Sequence, residues 1–191
     1  VGKIILNRPE KYQSFVREMA LKLQETLDQC NHNDSVRAIM ITASGKAFCA
    51  GQDLAEAIDP SIPSISTIIQ EHYNPIIRKI KNIEKPIVAA VNGVAAGAGA
   101  SVALACDIVV ATESATFVQA FSKIGLIPDS GGTFFLPRLI GMQKATALMM
   151  TGEAVLAKDA ENMGMIYKSY TDDSFELESW KLVSKLAKMP T

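Results

Sequence analysis

One carboxylate stands alone in a stretch of mostly apolar and neutral residues past the middle of the chain. Asp129 follows Pro128, precedes a glycine pair and is the only acidic residue between positions 117 and 132. Aspartate is a favoured N-cap, so this side chain could simply cap the turn that follows. In a dry pocket, desolvation would instead raise its pKa and make it a proton acceptor and donor. The apolar neighbours that could form such a pocket are Ile124, Leu126, Ile127, Phe134 and Phe135.

A small-residue segment, residues 92–101, is a second place where chemistry is possible. Glycines at 97 and 99 stand where a helix is predicted to begin, and they let another group approach the backbone closely. The first N–H groups of a helix have no intrahelical partner and lie at the positive end of its dipole, so they can bind a developing oxyanion. Tight packing of the helix on a sheet would explain the same glycines, and this segment alone does not decide between the two interpretations.

A third segment, residues 46–54, again places small residues after a strand-like run. By itself it is typical of an ordinary strand-to-helix connection. Two separate glycine-bearing turns are more informative together, because an oxyanion hole commonly takes its two N–H donors from different segments.

Three better-known glycine motifs do not fit the sequence. A dinucleotide fingerprint needs a third glycine where Val102 stands, and a phosphate-binding loop needs a Gly-Lys-Ser/Thr triplet that the chain lacks. Residues 99–103 resemble a nucleophile elbow without its second glycine. A hydrolase of that type has its histidine after the serine, whereas His32 and His72 both precede Ser101. The sequence therefore excludes this triad.

Composition indicates a soluble globular protein. The chain has 191 residues, 48% apolar and 20% charged, with a formal net charge of −1. That balance lacks the basic excess typical of nucleic-acid and membrane-surface proteins. The three cysteines, Cys30, Cys49 and Cys106, are widely spaced and form no CxxC pair, so neither a zinc site nor a disulfide framework is expected and a cytoplasmic setting fits best. Cys49 is expected to have a packing role.

Strand-like and helical runs alternate, which predicts one layered α/β domain over residues 1–191. Strands are predicted at 36–42, 87–91 and 107–111, and helices at about 17–30, 68–83, 98–106, 142–150, 157–163 and 175–189. Residues 59–66, with two prolines and three serines, are predicted as a surface loop. The chain opens within a strand-like run, so we expect the natural start to precede Val1.

Several short motifs, taken in order, resemble those of the crotonase, or enoyl-CoA hydratase/isomerase, superfamily. Each is weak alone, but the ordered set spans nearly the whole chain and is highly specific. The stretches are residues 6–9 (LNRP), 47–54 (AFCAGQDL), 85–93 (KPIVAAVNG), 106–108 (CDI) and 125–128 (GLIP). The resemblance implies a crotonase-like spiral of ββα units with a helical C-terminal region. It also implies a homotrimer or a dimer of trimers, in which another crotonase-family subunit can take part.

The same resemblance assigns the two glycine-bearing turns. The family's oxyanion-hole N–H groups map onto Gln52 and Ala98, which would hold the thioester oxygen of an acyl-CoA as it becomes an enolate. Because these donors are main-chain groups, the side chains at both positions need not be polar. The other residues implied in binding substrate and CoA are Ala50, Asp53, Leu54 and Gly97. Coenzyme A is part of the substrate, so no cofactor is implied, and no metal, nucleic-acid or membrane partner is expected.

Two positions at which the sequence departs from the family's hydratases indicate which reaction to expect. Hydratases of the family carry two glutamates, at positions that match Ser101 and Phe121 here, whereas isomerases place a carboxylate at the position of Asp129. Hydration must activate a water and also protonate carbon. Isomerisation needs one carboxylate, which removes a proton at one carbon and returns it at another. The resemblance therefore predicts an acyl-CoA isomerase with Asp129 as its base.

Within the isomerases, further stretches resemble the branch that acts on ring-epoxidised phenylacetyl-CoA in phenylacetate catabolism. They are residues 72–75 (HYNP), 120–129 (AFSKIGLIPD) and 164–166 (GMI). A general Δ3,Δ2-enoyl-CoA isomerase of fatty-acid oxidation would use the same base, so it stays an alternative. A non-catalytic acyl-CoA-binding scaffold is a third, although such a protein would be expected to lose Asp129. Family members continue past Thr191 with helices, so we expect the natural chain to extend further.

Overall fold

The computed structural model describes residues 1–57 and 64–190, which form two sheets with helices packed around them. The strands are β1 (Gly2–Leu6), β2 (Ile39–Ala43), β3 (Ala47–Cys49), β4 (Ile87–Val91), β5 (Val94–Ala96), β6 (Ile108–Thr112), β7 (Thr116–Val118), β8 (Ala154–Leu156) and β9 (Lys168–Tyr170). The helices are α1 (Arg17–His32), α2 (Leu54–Ala57), α3 (Ile65–Ile68), α4 (Asn74–Asn82), α5 (Ala98–Ala105), α6 (Gly132–Ile140), α7 (Met142–Thr151), α8 (Ala157–Asn162) and α9 (Phe175–Leu186). A π-helical turn spans Ile69–Tyr73, and 3-10 turns span Pro9–Lys11 and Ala120–Ile124. Within these two described stretches, no helix has both the length and the apolar character needed to cross a membrane.

The strands are shared between the sheets in a repeating way. The larger sheet has the order β1-β2-β4-β6-β9 and is parallel throughout. The smaller has the order β3-β5-β7-β8 and is parallel except for the β7–β8 pair. In the pairs β2–β3, β4–β5 and β6–β7, the first strand enters the larger sheet and the second enters the smaller. Helix α5 completes the central pair as a ββα unit, and this confirms the predicted crotonase-like spiral.

The central strands of the larger sheet, β2, β4 and β6, are buried on both faces, which explains why their sequences are continuous apolar runs. All five residues of β4 are buried. Alternate residues point to opposite sides of the sheet. Ile41 and Ala89 belong to the main core with residues of α1, α4 and α5, while Met40 and Ala90 pack with Val183 of α9.

Most of the predicted elements are present, with ends that differ by a few residues. The strand predicted from Val36 begins only at Ile39, because residues 33–36 form a turn. In that turn the Val36 N–H donates to the Asn33 carbonyl at 2.9 Å, and the Ser35 N–H donates to Asn33 Oδ1 at 3.0 Å. The pattern does not predict the short strands β3, β5, β7, β8 and β9 or helix α6.

The helix predicted over 68–83 is divided in the structure. Helices α3 and α4 flank the π-helical turn Ile69–Tyr73. Pro75 stands at the start of α4 and has no N–H, so the regular hydrogen-bond ladder is interrupted there and a wider turn takes its place. Ser64 Oγ accepts from the Thr67 N–H at 3.3 Å and caps α3. The loop predicted for 59–66 therefore ends at Ser64, while residues 58–63 lie outside the described residues.

Candidate active site

Asp129 lies where the chain reverses between the 3-10 turn Ala120–Ile124 and α6. Ser130 and Gly131 both have left-handed backbones, with φ of 51° and 75°, and Gly131 is the N-cap of α6. The interpretation of Asp129 as an N-cap is therefore wrong. Its Oδ1 accepts a hydrogen bond from Ser130 Oγ at 2.8 Å. Burial raises the pKa of Asp129 above its ordinary value, and the hydrogen bond from Ser130 partly opposes that shift.

The surroundings of Asp129 differ from the prediction. Four of its five apolar neighbours are exposed, namely Ile124, Leu126, Ile127 and Phe134. The start of α6 instead brings the Asp129 turn against α5, since a Cβ at Gly132 would lie 2.8 Å from Ser101 Oγ. The carboxylate is thus placed by the close packing of two helices and not by an apolar loop.

Helix α5 begins at a glycine whose backbone conformation excludes most other residues. Gly97 has φ 53° and ψ −126° and is the N-cap of α5. Its N–H donates to the Val118 carbonyl at 2.9 Å, which ties the helix start to β7. Gly99 is required for a different reason, because a Cβ there would collide with the carbonyl oxygen and Sγ of Cys49. Tight packing therefore explains Gly99, whereas Gly97 turns the chain so that Ala98 begins the helix.

The turn at residues 50–53 lies directly against the start of α5. Gly51 has φ 94°, and a Cβ there would lie 3.6 Å from Ala98 N. A parallel bridge holds the turn from the other side: the Phe15 N–H donates to the Gly51 carbonyl at 2.7 Å, and the Asp53 N–H donates to the Phe15 carbonyl at 2.9 Å. The N–H of Gln52, between these two bonds, takes no part in the bridge. Within the described residues, no acceptor is paired with the N–H of Gln52 or of Ala98.

Two residues that the sequence pattern does not single out, Tyr73 and Glu56, hold the Gln52 side chain. The Tyr73 hydroxyl donates to Gln52 Oε1 at 2.9 Å, and Gln52 Nε2 donates to Glu56 Oε2 at 2.6 Å. Tyr73 is buried at the end of the π-helical turn. It stands 21 positions from Gln52, so no local periodicity relates the two. The stretch 72–75 is marked only by the family resemblance.

Asp53, which was predicted to contact CoA, is paired inside the protein. Its Oδ2 accepts from Arg8 Nη1 at 2.6 Å, and its Oδ1 accepts from the Ala55 N–H at 3.0 Å. The hydrogen bond from Arg8 is the main reason that the pKa of Asp53 lies below its usual range. Ala50 and Leu54 are exposed beside it, Leu54 by 59%. Asp53 therefore supports the turn, while Ala50 and Leu54 stay open to solvent.

Replacing Asp53 with Asn should lower the free energy of unfolding at pH 7 by about 1–2 kcal/mol, since the partly buried Arg8 loses its anionic partner. The folded-state pKa of Asp53 lies below its unfolded value. Its contribution is therefore complete above the unfolded value of about 4 and is lost as the pH falls through the folded-state pKa. Urea unfolding should show a difference between wild type and Asp53→Asn that shrinks below pH 4. The exposed Asp173→Asn is the control, and a difference independent of pH would contradict this assignment.

The whole chain, residues 1–191, matches the enoyl-CoA hydratase/isomerase family. The chain belongs to this family, also called the crotonase family. It is 44% identical to the 1,2-epoxyphenylacetyl-CoA isomerase of Escherichia coli (strain K12), with 100% of this chain and 74% of that protein covered. It is 36% identical to the trans-2-decenoyl-(acyl-carrier-protein) isomerase of Streptococcus mutans, with 97% and 72% covered. The structure of an enoyl-CoA hydratase/isomerase from Pseudoalteromonas atlantica T6c matches with a TM-score of 0.88 at 35% identity, covering 98% of this chain and 73% of that one.

In this crotonase-family protein, neutral side chains occupy positions 101 and 121. Ser101 is fully buried, and Phe121 is buried with its ring 3.9 Å from the place of a Cβ at Gly97. Glu56 approaches Gln52, but its two carboxylate oxygens already accept hydrogen bonds, from Gln52 Nε2 and from the Arg17 N–H. Asp129 differs, since its Oδ2 has no partner within the described residues.

Cys49 has a packing role beside the turn. The thiol is buried, and burial raises its pKa to about 12, although the Gly51 N–H donates to its Sγ at 3.4 Å. A thiol with this pKa is protonated at neutral pH and is a poor nucleophile. The cysteine also stands against Gly99, so it helps to set the distance between β3 and α5.

Proposed function

We propose that this crotonase-family protein is an acyl-CoA isomerase that uses Asp129 to move a proton within a CoA thioester. The observation that carries the proposal is a half-buried carboxylate, made more basic by burial, on a turn that packs against Ser101 of α5. Positions 101 and 121 hold a serine and a phenylalanine, so the two glutamates of the family's hydratases are missing. Similarity to the E. coli 1,2-epoxyphenylacetyl-CoA isomerase supports a substrate of that class.

In the proposed reaction, the main-chain N–H groups of Gln52 and Ala98 bind the thioester carbonyl oxygen. Asp129 removes a proton from carbon, the electrons of the C–H bond move into an enolate, and the negative charge rests on the oxygen between the two donors. Protonated Asp129 then returns the proton at another carbon, and the thioester carbonyl is restored. No electron pair or water is gained or lost, so the reaction needs no redox cofactor, and coenzyme A enters only as part of the substrate.

The proposed substrate is a ring-epoxidised arylacetyl-CoA of phenylacetate catabolism. A general Δ3,Δ2-enoyl-CoA isomerase is the second candidate. Similarity to the S. mutans trans-2-decenoyl-(acyl-carrier-protein) isomerase supports this candidate. Incubation with ring-epoxidised phenylacetyl-CoA and, separately, with a 3-enoyl-CoA, following the product of each, distinguishes the two. A protein that bound both thioesters and converted neither would be a non-catalytic acyl-CoA-binding protein instead.

Hydration of crotonyl-CoA by this protein should be negligible, because activating the water and protonating carbon each require a positioned acid–base group. The check is the absorbance of the conjugated thioester, with the same preparation shown to be active on its isomerase substrate. A turnover number in the ordinary enzymatic range of about 1–1000 per second would contradict the absence of hydratase chemistry.

A further inference from the structure

The side chain of Gln52 is a link in a continuous hydrogen-bonded chain. The Tyr73 hydroxyl donates to Gln52 Oε1 at 2.9 Å, and Gln52 Nε2 donates to Glu56 Oε2 at 2.6 Å. The other oxygen of Glu56 accepts from the N–H of Arg17 at 2.8 Å. Arg17 is the first residue of the 16-residue helix α1, whose free N–H groups favour a carboxylate. These hydrogen bonds therefore connect Tyr73 to the Arg17 N–H at the start of α1.

The direction of each hydrogen bond follows from the chemistry of its groups. An ionised carboxylate can only accept, so the amide nitrogen of Gln52 must face Glu56 and its carbonyl oxygen must face Tyr73. The phenol then has to donate its proton to Gln52. An oxygen that has given its proton to one partner has only lone pairs left for others. This arrangement makes Tyr73 a support for Gln52 and not a proton donor to a substrate.

Tyr73 is itself held rigidly. It is 1% exposed, and its ring meets Phe15 edge-on at a centroid distance of 5.7 Å. Phe15 is also the residue whose main chain forms the bridge across Gln52. One aromatic pair thus holds Gln52 twice, through the backbone at Phe15 and through the side chain at Tyr73. Burial, aided by the nearby charges of Asp129 and Glu56, raises the pKa of Tyr73 well above its ordinary value, so the phenol stays protonated.

We propose that Tyr73 is a positioning residue of the isomerase: acting through the Gln52 side chain, it fixes the main-chain N–H of Gln52 that would hold the enolate oxygen. This inference rests on the proposed function. It changes one expectation from the family resemblance, in which the side chain at position 52 need not be polar. In this protein the Gln52 side chain holds the turn in place. A shift of the turn would move the main-chain N–H of Gln52 away from the enolate oxygen that it stabilises.

Tyr73→Phe removes the hydroxyl and keeps the buried ring. Loss of one hydrogen bond with an unsatisfied buried partner should lower kcat by about tenfold. Gln52→Ala should lower it by a similar factor, and the double variant should be no slower than Gln52→Ala, because the two residues act as one unit. The exposed Tyr167→Phe serves as the matched control and should leave kcat unchanged. Additive losses, giving about a hundredfold in the double variant, would overturn the proposal.

Two further readouts separate positioning from other roles. The pH profile of Tyr73→Phe should keep the shape of the wild type, whereas loss of its alkaline limb would identify Tyr73 as a proton donor and overturn the proposal. The N–H groups of Phe15 and Asp53, which close the bridge, should exchange with solvent about fivefold faster in Tyr73→Phe. Exchange does not depend on activity. An inactive wild type would therefore overturn the proposed function, while unchanged exchange would show that Tyr73 does not hold the turn.

Discussion

Replacing Asp129 with Asn should lower isomerase turnover by about 100- to 10,000-fold, the range typical of a lost general acid–base group. The amide has nearly the shape of the carboxylate and can still accept the hydrogen bond from Ser130 Oγ. It cannot take up the proton that the reaction must carry from one carbon to another. Binding of acyl-CoA should persist, because the proposed thioester contacts are the N–H groups of Gln52 and Ala98.

The same substitution should not destabilise the protein. The folded-state pKa of Asp129 lies above its unfolded value, so the folded state binds the proton more tightly. Its contribution to stability is therefore favourable at low pH and declines as the pH rises through these two values. When the Asp129 carboxylate is ionised, its charge is partly removed from water, and Asn removes that charge. The thermal midpoint of Asp129→Asn at pH 7 should equal or exceed that of the wild type.

Three measurements on Asp129→Asn test this assignment together: the isomerase rate, the affinity for a CoA ester and the thermal midpoint. Asp173→Asn, which changes an exposed aspartate remote in sequence, is the control for the loss of one negative charge. A variant with full activity would eliminate Asp129 as the base. In the wild type, the acid limb of the kcat/KM profile should lie above the ordinary aspartate pKa of about 4, since only the ionised form accepts a proton.

Much of the fold is predictable from sequence because its longest elements carry strong patterns. Helix α1 and strand β4 have the apolar spacing that their burial requires. The five short strands are three residues each, too short to show a two-residue period. Helix α6 is not predicted for other reasons: it contains Pro137, and the exposed Phe134 and Leu139 interrupt the apolar spacing of a helix.

The candidate site divides in the same way. Asp129 is visible because no other carboxylate lies near it in sequence, and Gln52 and Ala98 enter through an ordered family resemblance. The contact of Tyr73 with Gln52 cannot be predicted from local sequence, since the two residues are 21 positions apart and the orientation of Tyr73 depends on the π-helical turn. Burial of Asp129 is predicted, but from the wrong neighbours, because an apolar residue such as Ile127 can be 82% exposed. Contacts that only the tertiary fold creates cannot be predicted from local sequence patterns.

Ala98→Pro should lower turnover by about 100- to 1000-fold, the loss typical of one oxyanion-hole donor. Proline has no N–H, so the substitution deletes the donor and adds no charge. Proline is well tolerated at the first position of a helix, where the N–H has no intrahelical acceptor, and Ala98 is the first residue of α5. The preceding Gly97 has no Cβ to meet the proline ring, and its ψ of −126° keeps its own nitrogen away from that ring.

The control for this substitution is Ala98→Ser, which adds one polar atom and keeps the N–H, so it should retain far more activity than Ala98→Pro. Circular dichroism and the thermal midpoint show whether each variant is folded. Because the missing donor stabilises the enolate more than the bound substrate, Ala98→Pro should lower kcat much more than it weakens binding of the CoA ester. A folded Ala98→Pro with the turnover of Ala98→Ser would show that the Ala98 N–H does not hold the thioester oxygen. The proposed oxyanion hole, formed by the N–H groups of Gln52 and Ala98, would then be wrong.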